Sequence, residues 1–219
     1  MTVRIVLLGA PGSGKGTQGK RLAEHFGIAH ISTGDLIRDQ IARGTAFGRR
    51  VEEGIAAGNF VPDEDMTPLV SARLSEPDAA AGYVLDGFPR DVAQAVMFEE
   101  QFPEASRGSR VIELSVAPET VVERLAGRLV CPRCDAVYHM THCPPAVPGR
   151  CDNDGATLIR RPDDEPAAVL HRLNVYEELT LPLRTFYMDR GRLDTVAAEG
   201  EPDVIFGRIL DVVARNRAA

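Results

Sequence analysis

The sequence has no excess of basic residues. It contains 25 lysine and arginine residues against 32 aspartate and glutamate residues, which gives a formal net charge of −7. General binding to nucleic acid or to an anionic membrane requires a basic surface. The charge balance therefore argues against both partners, and it predicts that any phosphate ligand is held by local clusters of arginine and lysine.

The sequence also lacks a long apolar run. No stretch approaches the ~20 apolar residues that a membrane-spanning helix requires. The apolar stretch at residues 3–8 is short, and a glycine-rich loop follows it instead of the small-residue cleavage site of a signal peptide. We therefore interpret residues 3–8 as a buried strand, and we expect a soluble, cytoplasmic protein with no membrane partner.

Cysteine is scarce and unevenly placed. The chain has four cysteines, and all of them lie between residues 131 and 151. The disulfides of a secreted protein are usually spread over the chain. Clustered cysteines in a protein that we expect to be cytosolic indicate a metal site instead.

The alternation of apolar strands and helical segments predicts the fold class. At 219 residues the chain can bury one substantial core and still carry a small insert. Strands are predicted at residues 3–8, 82–85, 110–116 and 193–197. Helical periodicity occurs at residues 15–25, 92–101, 118–125, 167–180 and 202–217. This order is typical of an α/β protein with a doubly wound parallel sheet.

Two segments interrupt the alternation. Residues 32–61 are helical and charged, which predicts a small helical excursion from the sheet. Four glycines interrupt this helical pattern: Gly44, Gly48, Gly54 and Gly58. In residues 127–164 the helical periodicity disappears among Cys, Pro, Gly, His and Asp. We expect an inserted lid there, with residues 161–166 as its hinge.

The segment Gly9–Thr17 carries the first functional motif. It fits G-x-x-x-x-G-K, directly after a predicted strand and directly before a predicted helix. Glycines let successive backbone N–H groups turn toward phosphates, the helix N-terminus adds its positive end, and Lys15 reaches the β- and γ-phosphate oxygens. Gly16 follows the lysine and the hydroxyl comes at Thr17, so a direct or a water-mediated contact with Mg²⁺ stays open.

A second group of candidate ligands follows the predicted strand at residues 82–85. Asp86 stands at the carboxyl end of that strand, where a carboxylate can hold Mg²⁺ directly or through water. Gly87 lets the backbone approach a ligand, and Arg90 presents a guanidinium fork suited to an α-phosphate. An aspartate in this place is otherwise a helix cap or a turn residue, and the arginine that follows favours the ligand role.

Three segments, taken together, resemble the signatures of adenylate kinase. They are Gly9–Thr17, Ser32–Arg38 and Leu85–Arg90, in that order, with Gln94 following. The resemblance covers essentially the full length, and the insert resembles the lid of the long, zinc-bearing bacterial form. It implies reversible, Mg²⁺-dependent transfer of the terminal phosphoryl group of ATP to AMP, giving two ADP and serving nucleotide homeostasis.

The resemblance also implies a division of the chain. Residues 1–31, 62–126 and 165–219 would form the P-loop core, and residues 32–61 the AMP-binding subdomain. Residues 127–164 would form the lid subdomain. Because water would compete with AMP as the nucleophile, we expect this lid to close over the bound nucleotides.

Ligand roles follow from the same resemblance. ATP would be held by Gly12, Ser13, Gly14, Lys15, Gly16, Thr17, Arg128, Val137 and Tyr138. AMP would be held by Thr33, Arg38, Asn59, Phe60, Val61, Gly87, Phe88, Pro89, Arg90, Gln94, Arg161 and Arg172. Gln94 would read the adenine edge. Asp163 and Asp164 would support the closed lid, or else remain surface charges of the hinge.

Catalysis also requires clustered arginines for a physical reason. Two bound nucleotides bring four phosphoryl groups together, so dense negative charge has to be neutralised in a dry site. The resemblance assigns this work to Lys15, Arg90, Arg124, Arg128, Arg161 and Arg172. A single arginine on a helix is usually solvated, and we expect Arg160 to be such a bystander.

The cysteine pattern predicts a metal knuckle. Four residues follow the spacing C-x2-C-x16-C-x2-D: Cys131, Cys134, Cys151 and Asp154. This is close to a zinc ribbon in which aspartate replaces one cysteine. Four protein ligands leave no position for water, so the zinc would be structural and would replace the core that a small lid cannot build. Cys143, His139 and His142 are rivals for the fourth position, and four reduced thiols without metal are the other alternative.

Other functions are weighed against this one. A kinase of other base preference shares the motifs, whereas an ATP-hydrolysing regulator needs no second nucleotide pocket. A zinc-knuckle nucleic-acid binder conflicts with the acidic charge balance. At Glu201 the sequence differs from forms with Lys or Gln, which leaves the C-terminal adenine contact open. We expect a monomer, because nothing in the sequence resembles a self-complementary apolar stripe.

Overall fold

The computed structural model describes the backbone of residues 2–218, and the side chains of all of these except Arg107 and residues 216–218. The strands are β1 (Val3–Leu8), β2 (Ala29–Ser32), β3 (Gly82–Asp86), β4 (Arg110–Ser115), β5 (Arg128–Val130), β6 (Val137–His139) and β7 (Leu193–Ala197). The helices are α1 (Lys15–Phe26), α2 (Thr33–Ala42), α3 (Ala46–Ala56), α4 (Asp63–Leu74), α5 (Val92–Gln101), α6 (Pro103–Arg107), α7 (Pro118–Ala126), α8 (Pro166–Val175), α9 (Leu183–Met188) and α10 (Pro202–Ala218). Within the described chain, no helix is both long and apolar enough to cross a membrane.

Five parallel strands form the central sheet in the order β2-β3-β1-β4-β7. Apolar residues pack on both of its faces, since Leu22 of α1 and Ile209 of α10 belong to one buried cluster and Phe98 of α5 and Tyr187 of α9 to another. Strands covered on both faces read as continuous apolar runs. The predicted doubly wound α/β fold is therefore confirmed.

The middle position of β1 determines where a ligand can bind. This strand pairs with β3 on one side and with β4 on the other. The loop that follows it therefore opens at the centre of the carboxyl edge of the sheet. Open parallel sheets bind their ligands at that edge.

Residues 32–61 form two helices instead of one interrupted helix. The break between α2 and α3 lies at Gly44, which has a φ of 59°. Gly48 and Gly54 lie inside α3, so the prediction that they interrupt the helix was wrong. At Gly48 a Cβ atom would meet the carbonyl oxygen of Gln40 at 2.2 Å. That glycine is needed for close packing between the two helices.

The sequence pattern missed several elements. Ala29–Ser32 forms strand β2, which at four residues is too short to show a clear period. The structure also contains the helices α4, α6 and α9, for which no helix was predicted. The predicted helix at residues 167–180 is α-helical over Pro166–Val175 and continues as a π-helical turn.

Residues 127–164, called the lid segment below, contain a small β-structure. Strands β5 and β6 pair antiparallel, and Val130 also bridges to Ile159. The buried cluster of this segment consists of Cys131, Tyr138, Cys151 and Leu158. Two of these four residues are cysteines, so little apolar material holds the lid segment together.

Candidate active site

A cavity of about 910 Å³ opens at the carboxyl edge of the sheet. Its volume lies at the upper end of the roughly 300–1,000 Å³ usual for ligand pockets. Several parts of the chain line it, among them the loop at residues 9–17, residues 32–61, residues 86–90 and the lid segment. The loop and residues 32–61 are separate segments of the chain, so the cavity offers two sets of lining groups.

The loop between β1 and α1 is shaped for an anion. Gly12 and Gly14 have φ values of 81° and 98°, which favour glycine over any other residue. Gly14 is the N-cap of α1 and supplies no side chain to the first N–H groups of the helix. These donors and the positive end of the helix are left for a phosphate.

Lys15 lies at the start of α1 and folds back over the loop. Its Nζ donates to the carbonyl oxygens of Gly9 at 2.7 Å and Ala10 at 2.9 Å. Burial lowers the pKa of Lys15 to about 8, against the opposing charge of Asp86. A buried ammonium group bound only to neutral carbonyls gains from exchanging one of them for a phosphate oxygen.

Asp86 ends β3 beside the phosphate loop. The residue is only 8% exposed, and in the sheet register it is paired with Leu7 of β1 and Ser32 of β2. A Cβ atom at Gly16 would come within 3.6 Å of its Oδ2. The Asp86 carboxylate therefore lies beside the first turn of α1, next to Gly16.

Arg90 is held in a fixed position. Its Nε donates to the carbonyl oxygen of Gly87 at 2.9 Å, and its backbone N–H donates to Oε1 of Gln94 at 2.8 Å. The guanidinium carbon lies 4.3 Å from the centre of the Phe60 ring. Burial lowers the pKa of Arg90 to about 10. The peptide bond between Phe88 and Pro89, just before this arginine, is cis.

Not every predicted ligand reaches the cavity surface. Five of them are buried behind its wall: Ser13, Thr33, Val61, Phe88 and Gln94. Thr33 donates from Oγ1 to the carbonyl oxygen of Gly87 at 2.9 Å, and Gln94 donates from Nε2 to Oδ1 of Asp63 at 2.5 Å. In this structure these two side chains hold residues 87–94 in shape. These residues and residues 32–61 are called the acceptor wall below.

Arginines from the lid segment and from α8 converge on the same cavity. Arg128, Arg161 and Arg172 all line it. Arg128 makes a two-pronged pair with the carboxylate of Asp164, whose side chain is fully buried. Arg172 Nη1 lies 2.9 Å from Oδ2 of Asp163. The two aspartates therefore pair with arginines and are not solvated charges of a hinge.

The positive charge of these arginines is only partly compensated. Burial lowers the pKa of Arg161 to about 10, and the neighbouring Arg38 and Arg128 add to the shift. The Nε atoms of Arg38 and Arg161 are buried, and neither has a hydrogen-bond partner among the residues described. Like charges and unused N–H donors brought together in this way favour the binding of an anion between them.

Arg124 and Arg160 differ in placement. Arg124 lines the cavity and donates to the carbonyl oxygens of Ala198 at 2.9 Å and Ser13 at 3.4 Å. Arg160 is exposed and donates to the carbonyl oxygen of Ala126. Arg160 is not among the residues that line the cavity.

The lid segment and the start of α10 also contribute to the cavity. Val137 and Tyr138 of β6 line it, together with Glu201 just before α10. The Tyr138 hydroxyl accepts a hydrogen bond from the Asp152 backbone N–H at 2.8 Å. This places Tyr138 at the junction of the cavity wall and the lid segment.

The predicted metal ligands lie together. The ligand atoms of Cys131, Cys134, Cys151 and Asp154 all fall within 4.8 Å of one another. Three thiols and one carboxylate are donors that fit a four-coordinate zinc ion. Among the residues described, Cys143, His139 and His142 are not part of this group. Nδ1 of His139 instead accepts from the backbone N–H groups of Thr141 and His142.

Comparison with known proteins agrees with this geometry. A family model described as "Adenylate kinase" matches residues 7–192. The chain belongs to the adenylate kinase family. An adenylate kinase of Anaeromyxobacter sp. (strain Fw109-5) is 47% identical over 211 residues, which are 96% of this chain and 99% of that protein. Adenylate kinases of Moorella thermoacetica and Methanothrix thermoacetophila are 47% and 42% identical, over 95% and 97% of this chain and 98% and 99% of their own length.

Some residues of the cavity wall were not predicted from the sequence. The wall also includes Lys20, Asp35, Glu123, Tyr176 and Thr180, none of which was predicted. Nζ of Lys20 donates to the Asp135 carbonyl oxygen in the lid segment at 3.0 Å. Only Asp35 could have been predicted from the sequence, because it stands three residues before Arg38 on a helix and can pair with it there. A lysine, glutamate, tyrosine or threonine on a helix carries no such signal.

Proposed function

We propose that this protein is an ATP:AMP phosphotransferase, which reversibly transfers the terminal phosphoryl group of ATP to AMP and forms two ADP. The observation that carries the proposal is that one cavity is lined both by the phosphate loop and by Arg38 and Arg90 from other segments of the chain. A regulator that only hydrolyses ATP has no use for this second set of phosphate-binding groups. Relatives of nearly the same length are named adenylate kinase.

The triphosphate of ATP lies along the loop in this account. The N–H groups at the start of α1 and the Lys15 ammonium bind its phosphate oxygens, which replaces the loop carbonyls as partners of Nζ. Asp86 and Thr17, which line the same cavity, would hold Mg²⁺ directly or through water. The ion, bound together with ATP, would supply positive charge against that of the phosphates.

AMP lies against the wall that carries Arg38 and Arg90. Its phosphate binds these two arginines, and its ribose and base rest against the segment Asn59–Val61 and residues 87–90. In this structure Gln94 lies behind that wall and binds Asp63 and Arg90, so reading of the adenine edge by Gln94 requires its side chain to turn into the cavity. An oxygen of the AMP phosphate can then attack the terminal phosphorus in line.

The arginines act on the group in transfer. Arg128, Arg161 and Arg172 bring positive charge to the cavity, and Arg161 also brings an unused Nε–H, so that they can bind the transferring group, whose charge is spread over its oxygens. Arg124 binds the cluster of donor and acceptor phosphates, and Val137 and Tyr138 contact the adenosine of ATP. Closure of the lid segment keeps water, the competing nucleophile, away from the reacting phosphate.

The lid metal is zinc in this proposal, held by Cys131, Cys134, Cys151 and Asp154. With four protein ligands it has a structural role and fixes the shape of the lid segment. We retain the division of the chain into a P-loop core (residues 1–31, 62–126 and 165–219), an AMP-binding subdomain (residues 32–61) and a lid subdomain (residues 127–164). The hinge ion pairs of Asp163 and Asp164 support the last boundary.

The protein acts as a monomer in the cytoplasm. Both nucleotide walls come from one chain, so catalysis does not require a second copy. The free thiols of the cysteine group suit a reducing compartment. Light scattering after gel filtration measures the mass of the enzyme, for which this proposal expects one chain of 23.7 kDa.

Phosphorus NMR tests the reaction directly. Purified protein is mixed with ATP and Mg²⁺, AMP, CMP, UMP or GMP is added one at a time, and all nucleotides are followed. ADP should appear only with AMP, in step with its consumption and with little inorganic phosphate. Release of inorganic phosphate with or without a monophosphate would instead identify an ATP-hydrolysing regulator.

A further inference from the structure

The segment Tyr176–Thr180 forms a π-helical turn after α8. Its hydrogen bond runs from the Leu181 N–H to the Tyr176 carbonyl oxygen at 2.8 Å and spans five residues. π-Turns inside helices are rare and occur frequently at functional sites. The wider turn changes the direction in which the last residue of the segment points, so the placement of Thr180 differs from that in a continuous α-helix.

The side chain of Thr180 is bound to Arg90. Thr180 is 8% exposed, and its Oγ1 donates to the Arg90 carbonyl oxygen at 2.6 Å, across 90 positions of the sequence. A carbonyl oxygen can only accept, which makes the hydroxyl the donor. Tyr176 and Thr180 both line the nucleotide cavity. The π-turn follows the hinge (residues 161–166) in the sequence, and through Thr180 it connects that part of the chain to the acceptor wall.

The bond to Thr180 completes the set of contacts that fix Arg90. Gln94 binds its backbone N–H, Gly87 binds its Nε, and Phe60 stacks on its guanidinium group. These three contacts come from the acceptor wall itself. Of the four, Thr180 joins Arg90 to the part of the chain that follows the lid segment, and it holds the peptide group that follows the guanidinium-bearing residue.

We propose that Thr180 is a positioning residue for phosphoryl transfer, which acts by fixing the backbone of Arg90 so that its guanidinium group meets the acceptor phosphate. This inference rests on the proposed role of Arg90. A misplacement of about 1 Å at a reacting site can cost about 10²-fold in rate. Without the hydroxyl, the carbonyl of Arg90 loses its partner and the loop gains freedom to shift.

Two substitutions separate this role from a packing role. T180V replaces the hydroxyl with a methyl group of similar size, and T180S keeps the hydroxyl. For T180V we expect kcat/KM for AMP to fall about 10- to 100-fold, in line with a shift of less than about 1 Å, while KM for ATP changes less than about threefold. T180S should restore the AMP parameters to near those of the wild type.

A double-mutant cycle with Arg90 distinguishes a positioning role from a packing role, because it measures whether the two losses of kcat/KM add. If Thr180 acts through Arg90, T180V should add no further loss of kcat/KM to an enzyme that already carries R90A. Equal AMP kinetics of T180V and wild type would overturn the inference. A rise in KM for ATP as large as the loss of kcat/KM for AMP, or additive losses in the cycle, would do the same.

The variants also have to fold for the comparison to count. Thermal unfolding and ATP titration of T180V check this, and T180A enters the same cycle if T180V does not fold. Wild-type enzyme that forms no ADP from ATP and AMP would refute the proposed function. Wild-type activity together with an unaffected T180V refutes only the role of Thr180.

Discussion

The central sheet and the lid segment of this protein bury very different amounts of apolar material. Strand β3 is buried along its whole length, and apolar clusters cover both faces of the sheet. The lid segment has a cluster of four buried residues, of which Cys131 and Cys151 belong to the proposed zinc site. Burial of apolar surface can stabilise the first region on its own, whereas the proposed zinc site would supply the stability that the small cluster of the second cannot.

The two regions also divide the chemistry. The core carries Lys15 and Arg90, which hydrogen bonds hold in place, and the buried Asp86. The lid segment carries Arg128 and Arg161 to the same cavity. In the proposed mechanism, the segment that closes over the nucleotides is thus the one with the small buried cluster. We therefore expect that this segment can lose its structure without loss of the fold.

The largest expected effect comes from removing a lid arginine. R161A should lower kcat by roughly 10³–10⁵-fold, because the charge of the transferring phosphoryl group loses a donor. The adjacent R160A is the matched control, since Arg160 is exposed and outside the cavity wall. Its kcat should stay near the wild-type value. Steady-state kinetics with saturating ATP and AMP measure both, and equal losses would remove Arg161 from the proposed site.

A matched pair of leucines compares the two cores. L85A, in β3, should lower the free energy of unfolding by about 2–5 kcal/mol, because it opens a cavity in the sheet core. L158A, in the lid segment, should leave the main unfolding transition in place and lower the metal affinity instead. Urea unfolding followed by circular dichroism, with metal titration beside it, distinguishes them. Similar losses in the main transition would show that the two regions unfold as one.

The smallest effect concerns the charge of Lys15 in the core. Burial lowers its pKa to about 8, so the free protein loses this proton as the pH rises from 7 to 9. The triphosphate favours the protonated amine, so binding above pH 8 requires proton uptake. Affinity for ATP without Mg²⁺ should fall by at most about tenfold per pH unit in that range. Calorimetry checks this, and K15M should show a much smaller pH dependence.

Sequence reasoning succeeded where a local pattern carries the information. The phosphate loop, four strands of the central sheet and the group Cys131, Cys134, Cys151 and Asp154 follow from spacing and periodicity, and the structure brings them together. Strand β2 was missed because four residues show no clear period. The link from Thr180 to Arg90 could not be predicted, because it spans 90 positions and depends on a π-turn that leaves no local signal.

Hydrogen exchange before and after metal removal tests the contrast between core and lid most directly. The metal is taken from the whole enzyme with a strong chelator, and exchange is followed by mass spectrometry of peptides. Amides of residues 128–160 should lose protection, whereas those of β1, β3 and β4 keep it and ADP formation falls. Lasting protection of the lid segment, or loss of protection throughout the sheet, would contradict a packing-held core with a metal-held lid.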